Sequence, residues 1–493
     1  MLDEYLWIFV VGTFGAFGFG WGTGANDLGN AFGTSVGAKT LTMKQAVVIA
    51  SIFEFTGALV LGRVSTDTIA GGIADINAFS GNPVVYAYGM MCTLLVGTLW
   101  LAITTKYGWN VSSTHSIIGG IIGFALVNSG KEGVLWLKED TTGKSFPPYK
   151  GIIPIVLSWF ISPILTGLSS SAIFITMRQL VLRKHNAYQL SYYVLPIFVL
   201  ITTWVNVYFV LTKGAKKSLQ IEDNWTQEKS IWITSVSATG SALLSGVIGI
   251  PLLKRHIEKQ ELTAAEASIT IEEVEQQSNQ PSLIQKTKDL MFNGMEQDIH
   301  EIIEQDAVIS SIHSSAEVFD PRTEKVFQYL QVFSATCVVF AHGAGEVGYM
   351  AGPLTSIWTI LQTGKMPKSV TAPIWIIVIS ATGLVAGLAT YGHKITQAVG
   401  VKMSKITATR GFAAELSTAF VIMIASQFGL PTSSSQCITG GIIGVGLAEG
   451  IGGVNWKFLF TTMASWINTM FFIGLGVGGL FAQGIYAPHK EIA

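Results

Sequence analysis

The chain has 493 residues, of which 49% are hydrophobic and 12% charged, with a formal net charge of −1 and a mean hydropathy of +0.48. Soluble domains carry roughly 25% charged residues, so this chain cannot present an ordinary water-facing surface, and its near-neutral balance gives no footing for nucleic-acid binding. Cys92, Cys337 and Cys437 lie in apolar stretches at spacings that fit neither a metal site nor a disulfide framework, and read as packing residues.

Asp3 and Glu4 stand where a signal peptide would be basic, so 6–21 reads as part of a first membrane helix. Apolar segments of spanning length follow in order: 5–24, 43–62, 85–105, 151–177, 190–212 and 229–251, then 327–342, 346–362, 371–390, 407–428 and 456–486. Two further pieces, 110–128 and 432–450, open with hydroxyl residues and continue Gly/Ile-rich. Each reads as a short helix entered from a polar turn, a re-entrant segment rather than a plain span. Residues 252–326 differ in kind, with seven Lys/Arg against fifteen Asp/Glu. They read as an acidic soluble loop, helical over 258–277 and 283–303. The pairs Arg183-Lys184 and Lys254-Arg255 beside spans point to a cytoplasmic side there. The chain thus divides into a first repeat with adjoining spans (1–212), an extra span with its flanking loop (213–251), the central loop (252–326) and a second repeat (327–493).

The repeat is carried by two matched pairs. Trp21-Gly-Thr-Gly-Ala-Asn26-Asp27-Leu-Gly-Asn30 answers to Phe340-Ala-His342-Gly-Ala-Gly345-Glu346-Val-Gly-Tyr349. Val111-Ser112-Ser113-Thr114-His115 answers to Thr432-Ser433-Ser434-Ser435-Gln436, each followed by Gly-Gly-Ile-Ile-Gly at the same offset. Ser158-Trp159 and Ser465-Trp466 form a third echo. Duplicated halves with glycine-interrupted apolar helices point to a transport site where the halves meet.

A hydroxyl triplet at the start of a half-helix joins free N–H groups and the positive dipole end to three more donors, which suits an oxyanion. The plainer alternative is N-capping. Asn26-Asp27 in an apolar helix suits a hard cation such as Na⁺ if the helix breaks and frees its carbonyls, or caps such a break. Glu54 and Glu415 are lone carboxylates in apolar runs, fit for an ion path or for an intramembrane hydrogen bond. His342 and Glu346 would share a face on an unbroken helix, as a metal or proton site needs, but 343–345 reads as a break. That leaves Glu346 a proton or cation role. His115, whose counterpart is Gln436, reads as structural. No Gly-x-x-x-x-Gly-Lys-Ser/Thr loop is present, so an ion gradient or passive flow must drive any transport.

Gly24-Ala25-Asn26-Asp27-Leu28-Gly29-Asn30-Ala31-Phe32-Gly33 resembles the signature of the inorganic phosphate transporter (PiT) family, with support from 111–115, 158–163, 410–416 and 429–435. The resemblance spans nearly all of the chain except 214–326. It implies an all-α polytopic membrane protein of about twelve membrane segments in two inverted repeats, with broken helices and two re-entrant hairpins. It implies a Na⁺-coupled, or in some branches H⁺-coupled, phosphate symporter that forms a homodimer, needs no cofactor and is not an enzyme. Phosphate would be held by Asp27, Ser112, Ser113, Thr114, Ser433, Ser434 and Ser435. The cation ligands would be Asn26, Asp27, Asn30 and Glu346, with Na⁺ at Asn26 and Asp27, and Glu54 and Glu415 would be needed for transport. The family repeats Asn-Asp in its second half, where this chain has Gly345-Glu346. The second cation site is therefore rebuilt with Glu346, lost, or given to a proton. The expectation is a phosphate symporter of the plasma membrane working by alternating access. A sulfate permease of the same fold and a non-transporting phosphate sensor are the rivals.

Overall fold

The computed structural model describes residues 2–139, 149–215, 225–270, 298–367, 370–427 and 432–486. The described chain is almost entirely helical; its one sheet pairs Lys138–Glu139 with Tyr149–Lys150. In chain order the helices are α1 (Leu6–Gly37), α2 (Met43–Leu61), α3 (Arg63–Gly71), α4 (Pro83–Tyr107), α5 (Ser113–Ser129), α6 (Ile152–Met177), α7 (Ala187–Phe209), α8 (Gln227–Leu244) and α9 (Ile250–Thr270). They continue with α10 (Ile302–Gln305), α11 (Ala307–Ser315), α12 (Pro321–Thr363), α13 (Ile374–Thr390), α14 (His393–Gln397), α15 (Ala408–Gln427), α16 (Ser434–Ala448) and α17 (Trp456–Tyr486). Among the described residues nine helices are long and apolar enough to cross a membrane. A further pair, α13 with 393–402, bends by 67° at its break. Large apolar side chains such as Phe14, Leu99, Leu168 and Leu475 face outward, as lipid-facing positions do.

The sequence explains the ends. Asp320 accepts from Thr323 N–H at 2.8 Å ahead of Pro321, and Gly364 stops α12 in the left-handed region at φ 67°. Thr42 and Gln45 form a capping box on α2. Ser112 and Ser433 cap α5 and α16 by accepting the N–H of His115 and Gln436.

Two expected breaks do not occur. α1 runs unbroken through 24–27, and α12 runs unbroken through 343–346, fusing the expected segments 327–342 and 346–362. The glycines there serve close packing rather than interruption. A Cβ at Gly24 would overlap the Leu384 carbonyl oxygen of α13, and one at Gly387 would overlap that of Trp21, so α1 and α13 interlock. A Cβ at Gly343 would overlap the Glu54 carbonyl oxygen, and one at Gly57 that of Phe340, which seats α12 on α2. The Gly-Gly-Ile-Ile-Gly motifs act alike: Gly123 abuts Gly474 of α17, and Gly440 and Gly444 abut Pro163 and Gly167 of α6. Each half-helix therefore leans on the long helix that follows its counterpart.

Of the central loop, 271–297 lies outside the described residues, and with it most of the helix expected over 283–303. The described parts are not detached. α9 continues from a span into this region, and the segment after 297 docks on the bundle. Ile299 and Ile309 pack with Phe32, Val36 and Val339, His300 Nε2 lies 3.0 Å from Gly37 O, and Lys405 Nζ donates to His313 O at 3.0 Å. The cysteines are free, with Cys92 and Cys437 buried and Cys337 half-buried.

Candidate functional site

The two half-helix starts meet head to head: the capping hydroxyls Ser112 Oγ and Ser433 Oγ lie 2.9 Å apart. Capping and convergence are thus two properties of the same residues. The following hydroxyls turn to one carboxylate. Ser113 Oγ donates to Glu346 Oε2 at 2.6 Å, and Ser434 Oγ to Glu346 Oε1 at 3.2 Å. The third hydroxyls diverge, Thr114 donating to Tyr349 Oη at 2.9 Å and Ser435 to the Val111 carbonyl at 3.4 Å. At the next position His115 stacks on Trp159 at 3.7 Å and meets its counterpart Gln436 at 3.5 Å.

α1 supplies the other wall. Asn26 fixes the turn ahead of α5: its amide donates to Trp109 O (3.0 Å) and Thr105 Oγ1 (3.3 Å), and its oxygen accepts from Val111 N–H (3.1 Å). Asn30 Nδ2 bridges Asp27 Oδ1 (2.7 Å) and Ser435 Oγ (3.1 Å), while Asn30 Oδ1 accepts from Asn110 at 3.2 Å. Asp27 Oδ2 and Asn110 Oδ1 are buried with no hydrogen-bond partner. Because α1 is unbroken, its carbonyls are spent on the helix, so the free-carbonyl cage expected at Asn26-Asp27 is not formed. Side-chain oxygens are what the site offers.

α12 and α2 complete it. His342 Nδ1 lies 2.8 Å from Glu54 Oε1, and His342 Nε2 lies 3.2 Å from Ser434 Oγ, 3.6 Å from Glu346 and 3.9 Å from Asp27 Oδ2. On the unbroken helix His342 and Glu346 do share a face, four residues apart. Ligand atoms of Asp27, His342 and Glu346 all fall within 4.8 Å of one another. The imidazole does not suit a metal here, since both nitrogens are engaged. Nδ1 lies against the Glu54 carboxylate, and Nε2 lies against Ser434 Oγ, which itself donates to Glu346. Asp27, Glu54, Glu346 and His342 thus form one buried cluster of titratable groups, and any carboxylate charge left unbalanced in such a place calls for a compensating cation. The unpaired Asp27 oxygen beside Glu346 is a hard-oxygen donor of the kind Na⁺ takes.

Glu415 lies apart from this cluster. Thr34 Oγ1 (2.6 Å), Ser35 Oγ (3.2 Å) and Gln331 Nε2 (3.2 Å) all donate to its Oε1, while Oε2 is buried and unpartnered. Thr34 is about 10 Å along α1 from Asp27. Sequence reading did not single out Asn110, Tyr349, Thr105 or Gln331. Only weak signals marked them: Asn110 directly precedes the 111–114 motif, and Tyr349 follows Glu346 by nearly one helical turn.

The Phosphate transporter family model matches residues 23–475. The chain is 27% identical to the phosphate-repressible phosphate permease pho-4 of Neurospora crassa, over 98% of this chain and 97% of that protein. It is 32% identical to the chloroplastic inorganic phosphate transporter 2-1 of Arabidopsis thaliana, over 92% of this chain and 68% of that protein. A solved structure titled as the sodium-dependent phosphate transporter superposes with a TM-score of 0.72 at 26% identity, covering 96% of this chain and 98% of that one. These relatives are transporters and permeases rather than enzymes. The chain is a multi-pass integral membrane protein that belongs to the phosphate transporter family.

Proposed function

We propose that the protein is a secondary active symporter that carries inorganic phosphate with Na⁺ by alternating access, as a homodimer in the plasma membrane. The observation that carries the reading is the meeting of Ser112 and Ser433 at 2.9 Å, which brings two half-helix starts together, with the next hydroxyls, Ser113 and Ser434, turned to one shared carboxylate. Phosphate binds there, held by Ser112, Ser113, Thr114, Ser433, Ser434 and Ser435, with the carboxylates that face the site, Asp27 among them, able to accept a hydrogen bond from protonated phosphate. Na⁺ binds against the unpaired Asp27 Oδ2, with Asn30 orienting that carboxylate and Asn26 holding the turn that frames it. Glu346 faces the same space from the second half. The cation lowers the negative potential of the Asp27–Glu54–Glu346 cluster before an anion enters. Na⁺ as the coupling ion is supported by the sodium dependence named for the similar structure.

Gly345-Glu346 stands where the family repeats Asn-Asp, so the second half lacks an amide ligand and carries a longer carboxylate beside His342, which favours H⁺ as the second reading for the coupling ion. Uptake of radiolabelled phosphate into proteoliposomes under an inward Na⁺ gradient, then an inward H⁺ gradient, with excess unlabelled sulfate, separates the readings. Na⁺-driven accumulation indifferent to sulfate is expected. Accumulation under H⁺ alone would move the coupling to the proton, suppression by sulfate would make the chain a sulfate permease, and binding without flux would make it a sensor.

A further inference from the structure

Glu346 stands where the transported anion is to be held. Its two oxygens take the hydroxyls of Ser113 and Ser434, one from the first turn of each half-helix, and so bridge α5 and α16 as an oxyanion would. The bridge depends on the extra methylene of a glutamate on α12. Beside it, a Cβ on Gly345 would meet no atom within 4 Å, so the helix face next to Glu346 is not packed shut. The hydroxyls cannot serve two acceptors at once: each has a single proton to donate.

We propose that Glu346 is a tethered anion that competes with the substrate for the hydroxyl cradle and screens what enters it. This rests on the phosphate-symport reading. Phosphate displaces the carboxylate from Ser113 and Ser434. Because Glu346 is fixed in the middle of α12, the displaced group stays beside the bound anion. Phosphate retains an acidic proton near neutral pH and donates it in a hydrogen bond to that carboxylate. Sulfate has none to give and meets an unpaired like charge, which is a penalty against the wrong ligand rather than a reward for the right one. A second cation ligand at this position would act oppositely, since its removal would weaken the anion that the cation helps to hold.

The test is equilibrium binding of radiolabelled phosphate and of radiolabelled sulfate to the purified full chain, at one pH and one Na⁺ concentration, for wild type, Glu346→Ala and Glu346→Gln. Removing a competitor held by charge-assisted hydrogen bonds should tighten phosphate binding about tenfold in the alanine variant, and sulfate binding by more, with glutamine between. Glutamine keeps the side-chain shape and carries the test if the alanine variant does not fold. Phosphate binding that is unchanged or weaker in the folded variants overturns the proposal. Absence of phosphate binding by the wild type would remove the functional reading beneath it, a different result from wild-type binding with weaker variants.

Discussion

Asn26-Asp27 on α1 and Gly345-Glu346 on α12 occupy matching places in the two halves and do opposite things. Asn26 is consumed by structure, its amide and oxygen both pinning the turn at 109–111. This leaves Asp27 on its own side, with one oxygen on Asn30 and the other without a hydrogen bond. In the second half nothing occupies the place of the amide, and the longer carboxylate crosses to both hydroxyl triplets. One half presents an available oxygen, and the other closes the space in front of it. Two stretches that match in sequence therefore reach different partners.

The comparison breaks first at Asp27. Asp27→Asn keeps the shape and removes the charge, and phosphate uptake in proteoliposomes should fall ~100-fold or more, as loss of a charged ligand implies, with an unchanged unfolding temperature in detergent. Normal uptake by a folded variant would take Asp27 out of the mechanism. The comparison sharpens when the second half is made to resemble the first. Gly345→Asn with Glu346→Asp should fold, because the space beside Gly345 is open, and should steepen the Na⁺ dependence of uptake. An unaltered Na⁺ curve would mean that the second half contributes no cation ligand in either form.

A third pair of variants concerns stability alone. Asn26→Ala removes three hydrogen bonds from buried groups and should destabilise the fold by about 1–3 kcal/mol. Gly345→Ala, in mid-helix with open space, should be neutral or stabilising by up to about 1 kcal/mol. Equal melting temperatures for the two would contradict the division of labour drawn between the halves.

The half-helices were legible because their signal is local and doubled: Ser-Ser-hydroxyl before Gly-Gly-Ile-Ile-Gly, twice, places two caps and two close-packing faces. The all-helical membrane class and the burial of Asp27, Glu54 and Glu346 were legible for a similar reason, since polar groups stand out in apolar runs. The unbroken courses of α1 and α12 were not, because the same glycines permit a break or a close crossing, and only the partner helix decides. Gly343 resolves to a crossing because the Glu54 carbonyl lies against it. That contact also brings His342 to Glu54 across 288 positions of sequence, a pairing that no local pattern encodes. Glu415 shows the same limit: its partners Thr34, Ser35 and Gln331 come from two other helices.

The smallest effect lies outside the membrane, where the central segment is tied to the spans. Arg183, in the turn that follows α6, meets Glu317 in a two-pronged pair, both contacts at 2.8 Å, whereas the buried Arg410 holds the Glu317 backbone carbonyl at 2.8 Å and Glu449 at 2.6 Å. The hydrogen bonds from the Arg183 guanidinium hold the Glu317 carboxyl below its ordinary value of 4.5, against a smaller opposing effect of burial. A carboxylate depressed on folding stabilises the folded state above its unfolded pKa, and that contribution is lost as pH falls through the folded one. Both partners are partly exposed, with side chains 51% and 31% accessible, so solvent and salt screen the pair. Arg183→Ala should therefore lower the unfolding temperature slightly at pH 7, and the difference from wild type should shrink below pH 4.5 and with added salt. A difference that persists once Glu317 is protonated would assign the stabilisation to packing of the Arg183 stem rather than to its charge.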